Sequence, residues 1–168
     1  MERIVDLNIA EVQVFQKVKE LIATSRTIVA EEPPNLKFGI ETLKQLRRAI
    51  YEDLNQIQHE GMILRAARLL ESSELTGQEV EWYWNPRQTG TADEPDLRGL
   101  VAGRIVVSAE ITASESPKGT IDQRMGTTLE KLSKLPGKTF YFVCTDSMEK
   151  RARTKVKQAG YQIEVRRT

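Results

Sequence analysis

Glu94-Pro95-Asp96-Leu97-Arg98-Gly99-Leu100-Val101-Ala102-Gly103-Arg104-Ile105-Val106-Val107-Ser108-Ala109-Glu110-Ile111-Thr112 reads as one β-hairpin with Gly103 in its turn. Side chains alternate across a strand, and residues directly opposite on an antiparallel pair share a face. A three-residue loop, Ala102-Gly103-Arg104, sets Val101 against Ile105, Gly99 against Val107, Leu97 against Ala109 and Asp96 against Glu110. One face is then Leu97, Val101, Ile105, Val107, Ala109 and Ile111, and the other is Asp96, Arg98, Ser108, Glu110 and Thr112. A two-residue loop would pair Asp96 with Ala109 and mix acidic and apolar groups on one face, which a half-buried hairpin resists. The spacing therefore predicts two carboxylates aimed at one divalent metal.

Outward from the hairpin, the chain alternates strands and helices. Upstream, residues 79–84 alternate and are rich in β-formers, which predicts a strand. Residues 85–94, with Pro86 and Gly90, form a loop that either covers a site or simply connects. Downstream, Thr120 and Gln123 make a capping-box signature for a helix carrying Ile121, Met125, Leu129, Leu132 and Leu135, ended by Pro136-Gly137. The apolar run 139–144 predicts a central strand covered on both faces. Asp146 with Glu149 caps a helix ending at Gly160, and residues 161–165 form a last, edge strand.

The first third is helical. Asn8 with Glu11 resembles a capping box, followed by Val14, Phe15, Val18, Leu21 and Ile22 on one face. Pro33-Pro34-Asn35 breaks the chain, and Leu36, Ile40, Leu43, Leu46, Ile50, Leu54 and Ile57 then recur at three- and four-residue steps. That stripe serves either helix packing or a dimerising seam. The pattern weakens at His59-Glu60-Gly61 and resumes to about Ser72, which divides the chain into a helical region, 1–59, and an α/β core, 60–168.

Composition narrows the chemistry. A formal net charge of +1 carries no global signature of a nucleic-acid binder. Lys150, Arg151, Arg153, Lys155, Lys157, Arg166 and Arg167 nevertheless crowd the C-terminus, as a solvated helix face or a phosphate-binding surface. One His and one Cys give no constellation for structural zinc or a His-supported nucleophile, and Cys144 reads as a buried reduced thiol. No apolar run approaches the roughly 20 residues that span a bilayer, and the start lacks a signal-peptide core, so a cytoplasmic protein without membrane partners is expected.

The order helix, three strands, helix, strand, helix, strand over about 60–165 resembles the restriction-endonuclease-like superfamily, the PD-(D/E)xK nucleases, with Pro95-Asp96 before the hairpin and Glu110-Ile111-Thr112 on its second strand. The resemblance implies an α/β fold with a restriction-endonuclease-like core, a central mixed sheet flanked by helices, carrying an N-terminal helical extension. It implies that Asp96, Glu110 and the backbone carbonyl of Ile111 hold Mg²⁺, with Mn²⁺ as a substitute, for hydrolysis of DNA phosphodiesters in restriction or repair. The family usually has Lys where this chain has Thr112, so the resemblance draws the catalytic cation from elsewhere, with Lys118 first and Arg124 or Lys131 after it. Glu60 matches an additional acid that reaches the metal through water, and Gln123 matches a position where some relatives place Gln near the site.

Two functional classes lead, with a structural helical-adaptor protein, in which Asp96 and Glu110 would be surface charges, as a third. One is a Mg²⁺-dependent DNA endonuclease, expected as a homodimer because one such centre cuts one strand, with a larger partner subunit as a further possibility. The other is a catalytically silent nuclease-like module that binds DNA or a partner protein, and Thr112 is the residue that favours it.

Overall fold

The computed structural model describes residues 1–75, 77–86 and 94–168. Thr76, and residues 87–93 of the loop expected over 85–94, lie outside the described residues. The Asp6 carboxylate accepts the N–H groups of Asn8 and Ile9 at 2.6 and 3.0 Å and so opens α1 (Leu7–Ile28). Asp6 therefore takes the role expected of Asn8, because its side chain precedes the first orphan N–H groups by the spacing a cap needs. Asn35 accepts the Phe38 N–H at 3.0 Å and opens α2 (Leu36–Ser73). This helix is continuous through Gly61, so the expected division at 59/60 falls inside one element.

The strands are β1 (Glu2–Ile4), β2 (Glu81–Trp84), β3 (Leu97–Val101), β4 (Arg104–Thr112), β5 (Lys138–Val143) and β6 (Ile163–Arg167), with α3 (Thr120–Leu132) and α4 (Asp146–Ala159) between the last three. They form a six-stranded mixed sheet in chain order, antiparallel from β1 to β4 and parallel from β4 to β6. Strand β1 was not legible in the sequence, since three residues are too few for alternation to register. Two further caps shift by one residue. Gly119 precedes α3 with φ 55° and no side-chain cap, so Thr120 and Gln123 form no capping box. Thr145, not Asp146, caps α4 by accepting the Met148 N–H.

The hairpin tip differs from expectation by one residue. Ala102 and Gly103, at φ 49° and 74°, make a two-residue turn, so Val101 pairs with Arg104 and Leu100 with Ile105. Positive φ at both central residues gives the turn twist that matches two right-twisted strands. Alone, this turn would have flipped every side chain below it. The register instead shifts between Gly99 and Leu100, leaving Val106 as the extra residue of a bulge and restoring Gly99 opposite Val107 and Leu97 opposite Ala109. Below Gly99 the faces sort as expected, and Asp96 and Glu110 remain level with each other just beyond the paired end, but Ile105, expected on the apolar face, pairs with Leu100 and lies beside Arg98 on the other. Gly99 also admits the Trp82 ring, whose nearest atom would lie 2.9 Å from a Cβ at this position.

The sheet separates two cores. On one face Leu97, Val107, Ala109, Ile111, Phe140 and Phe142 pack against α1 and the C-terminal half of α2. On the other, Tyr141, Val143, Ile163 and Val165 pack against α3 and α4. The polar face of the hairpin is thus covered as well: Asp96, Ser108 and Glu110 are all buried. No described helix is long and apolar enough to cross a membrane.

Candidate functional site

Asp96 sits one residue before β3, where the ladder stops, and the Ile111 backbone lacks a strand partner on that side. Its carboxylate replaces the missing strand: Asp96 Oδ2 accepts the Ile111 N–H at 2.8 Å. The Ile111 carbonyl is met from the other side by His59 Nε2 at 3.2 Å, and the same nitrogen lies 3.3 Å from Asp96 Oδ2. His59 Nδ1 lies 3.3 Å from the Pro86 carbonyl. Both ring nitrogens therefore face oxygen acceptors, an arrangement that suits the imidazolium, in which both are donors. Burial pulls the His59 pKa down, but the hydrogen bond to and the charge of Asp96, with the two carbonyls, leave it raised above 6.5.

Glu110, 6% exposed, lies beside Asp96. Burial, then the Asp96 charge, push its carboxyl up to about 7 against the opposing pull of Lys131. Lys131 Nζ, from α3, donates to Glu110 Oε1 and to the Glu94 carbonyl, each at 2.7 Å. One ammonium thus ties the Pro95-Asp96 segment to the second acid. Thr112, in the position where the resembled family has Lys, lines a pocket with Tyr141 and accepts the Ser114 N–H at 3.4 Å. Burial raises the Tyr141 phenol far out of the physiological range, so neither hydroxyl carries charge.

The order expected among the cations is reversed. Lys118 is exposed in the loop before α3, and its ammonium contacts neither acid among the described residues. Arg124 stands in the wall of a pocket of about 530 Å³ that also includes Glu110, Ile111, Thr112 and Tyr141. Lys131 alone of the three touches an acid. Its position follows from helical spacing: Lys131 lies two residues after Leu129 and one before Leu132, both buried, at the margin of the face that α3 turns to the sheet.

Gln123 is exposed on α3 and does not line that pocket. Glu60 is 1% exposed, but both its oxygens are held by Lys17 Nζ at 2.7 Å and one by Gln56 Nε2 at 3.2 Å. Gln56 also donates to the Pro86 carbonyl at 2.7 Å, so Glu60 reaches the acid pair only through Gln56, Pro86 and His59. His59 and Lys17 are the residues that sequence reasoning missed. A signal existed: Gln56, His59 and Glu60 precede Ile63, Ala66, Ala67 and Leu70 at three- and four-residue steps, a polar patch in line with the buried face of α2.

The basic C-terminus is largely consumed by acids. Arg151 and Lys155 pair with Asp122 at 2.7 and 3.1 Å, Arg153 with Glu149 at 2.7 Å, Arg166 with Glu74 and Glu164, and Arg167 with Asp146. Cys144 is half-buried just past β5 and donates to the Ser114 carbonyl at 3.1 Å, with burial raising its thiol pKa.

Metal-free stability should depend on pH in a specific window. The Glu110 carboxyl rises from 4.5 to about 7 in the folded chain, so the folded state keeps a proton that the unfolded state releases as pH climbs between those values. His59, raised above 6.5, contributes stability that is complete below 6.5 and lost as pH rises through its folded pKa. Both groups act in one direction. Urea denaturation in chelator is expected to show a loss on the order of 3 kcal/mol from Glu110 alone between pH 5 and pH 8. Glu110→Gln should flatten that slope; wild-type stability that rises across the window would contradict the assignment.

No group of three or more His, Cys, Asp or Glu able to hold a metal ion occurs among the described residues. Two carboxylates and a backbone carbonyl are instead the sparse oxygen set that Mg²⁺ accepts, because it keeps several waters and completes its shell with substrate phosphate. The donor set therefore fits that ion. No protein-family model, curated protein or solved structure matches this chain.

Proposed function

We propose that the chain is a Mg²⁺-dependent endonuclease that hydrolyses DNA phosphodiesters from a restriction-endonuclease-like core, with Mn²⁺ as a substitute metal. The observation that carries this reading is the buried, adjacent pair Asp96 and Glu110 with Lys131 Nζ 2.7 Å from the second acid. Two like charges held together away from water favour a divalent cation between them, since each raises the cost of ionising the other. Asp96, Glu110 and the Ile111 carbonyl would hold the ion. When bound, it supplies a more acidic water and neutralises charge on the phosphoryl oxygens.

The remaining residues have separate tasks. His59 holds Asp96 and the Ile111 carbonyl, two of the oxygens that would hold the ion. Lys131, held by the Glu94 carbonyl and Glu110 Oε1, supplies the positive charge that Thr112 lacks. Arg124, Thr127 and Thr128 line the pocket beside Glu110, where a phosphate group meets a cation and hydroxyl donors. DNA as the substrate follows from the Pro95-Asp96 and Glu110-Ile111-Thr112 resemblance.

A second reading has its own observation. Thr112 brings no positive charge to the acids, and each acid already has a nitrogen partner, which suits a silent module that binds DNA without cutting it. Incubating supercoiled plasmid and single-stranded DNA with the protein in Mg²⁺ or Mn²⁺ separates the two. The endonuclease reading expects metal-dependent cleavage by wild type that is absent from Asp96→Ala and Glu110→Ala. Binding with no cleavage in either metal identifies the silent module.

A further inference from the structure

No residue from 15 to 59 is buried. The buried residues of α1 end at Val14, and those of α2 begin at Glu60, so the outer parts of both helices pack mainly on each other as an arm beyond the core. That arm is not polar outside. Val12 is 67% exposed, Phe15 57%, Leu36 80%, Leu43 64% and Leu54 50%. A groove of about 540 Å³ lined by Val12, Phe15 and Val18 of α1 with Gly61, Leu64 and Arg65 of α2 fixes which sides of the helices form one face. Stepping back along α2 from Gly61 by seven residues and then by fours and threes meets Leu54, Ile50, Arg47, Leu43, Ile40 and Leu36 on that side.

The area of this face exceeds what a solitary chain usually shows. With Ile22 of α1 and Val29 just past its end, also exposed, these side chains present on the order of 800 Å² of apolar surface, against roughly 300–600 Å² for the largest patch of a typical monomer. It is also about what each partner of a standard interface buries.

We propose that the occupant is a second copy of this chain, packed α2 against α2 in antiparallel fashion about a two-fold axis near Gln45. The spacing of the stripe carries the choice. Leu36, Ile40, Leu43, Arg47, Ile50 and Leu54 are separated by steps of four, three, four, three and four, which read the same in both directions. A two-fold contact requires that residue i meet j while j meets i. The palindrome satisfies this: Leu36 meets Leu54 of the other copy, Ile40 meets Ile50, and Leu43 meets the aliphatic stem of Arg47, whose head reaches water. The α1 residues Val12, Phe15 and Ile22 flank the seam, so the two arms close into four packed helices.

Sedimentation velocity on the full-length chain over a hundredfold concentration range should give a dimer. Ile40→Asp, which opposes a carboxylate to an apolar partner twice, should weaken it on the order of 100-fold with an unchanged circular dichroism spectrum, because this side chain lies outside the core. Register is tested by cross-linking. Leu36 and Leu54 are about 27 Å apart within one helix, so Leu36→Cys/Leu54→Cys should form a covalent dimer on mild oxidation, whereas Leu36→Cys alone should not. A monomer at every concentration overturns the proposal, and cross-linking of Leu36→Cys as readily as the double variant overturns the antiparallel arrangement.

Discussion

Lys131→Ala is expected to slow metal-dependent DNA cleavage by about 10²–10³-fold, the scale of losing one donor aimed at developing charge, while divalent-metal affinity stays within a few-fold. The ammonium sits 2.7 Å from Glu110 Oε1 but supplies no metal ligand, so its removal affects the reacting charge more than the ion's oxygen shell. A second readout separates this role from mere packing. Lys131 is the group that pulls the Glu110 carboxyl down against burial and the Asp96 charge. Without it the carboxyl moves above about 7, and the acidic limb of the pH–rate profile should move to higher pH in the variant. Lys118→Ala, in an exposed loop away from both acids, should leave turnover unchanged. Single-turnover rates for the two variants across pH check both statements; a severe loss in Lys118→Ala with normal turnover in Lys131→Ala would reverse the assignment.

Removing either acid should cost at least about 10³-fold in cleavage, since neither remaining carboxylate can fix the ion alone. The two variants should part company in stability. Asp96 accepts the Ile111 N–H at 2.8 Å and faces His59, so Asp96→Ala strands one buried donor, takes the countercharge from His59 and should destabilise the fold by about 1–3 kcal/mol. Glu110→Ala leaves Lys131 bonded to the Glu94 carbonyl and removes a carboxyl that repels Asp96. Its cost at pH 8 should therefore be smaller. Equal destabilisation would mean that the two acids do not share a site, whatever happens to cleavage.

Much of this architecture was legible because it rests on periodicity. Alternation through 97–112 marked the hairpin and its faces below the bulge, the apolar run at Phe140 to Val143 marked a strand covered on both sides, and three- and four-residue steps marked the helices. The turn was misread because the bulge at Val106 and the two-residue loop at Ala102-Gly103 shift the register in opposite senses and cancel below Gly99. A sequence pattern records only the net register. The caps at Asp6 and Thr145 lie one or two residues before the expected positions, because acceptors crowd each helix start and backbone dihedrals decide between them.

The acid pair was placed from spacing, but its partners were not. Lys131 and His59 reach the site from α3 and α2, and the tertiary packing that brings them there leaves no local signature at either position. His59 was set aside as a lone histidine, although its neighbours Gln56 and Glu60 mark a polar break in a buried stripe. The opposite error affected the basic C-terminus, where Asp122, Glu149, Glu74 and Asp146 come from other parts of the fold or the same helix to pair with its cations.

The shared site of Asp96 and Glu110 is tested most directly by titrating the metal-free protein with Mn²⁺ and following the loss of free-ion paramagnetic signal at pH 6 and pH 8. One ion per chain is predicted, bound more tightly at pH 8 because the Glu110 carboxyl must first lose its proton near pH 7, and released by Asp96→Ala as well as by Glu110→Ala. Binding that ignores pH, or that survives either substitution, would contradict a metal held between these two acids.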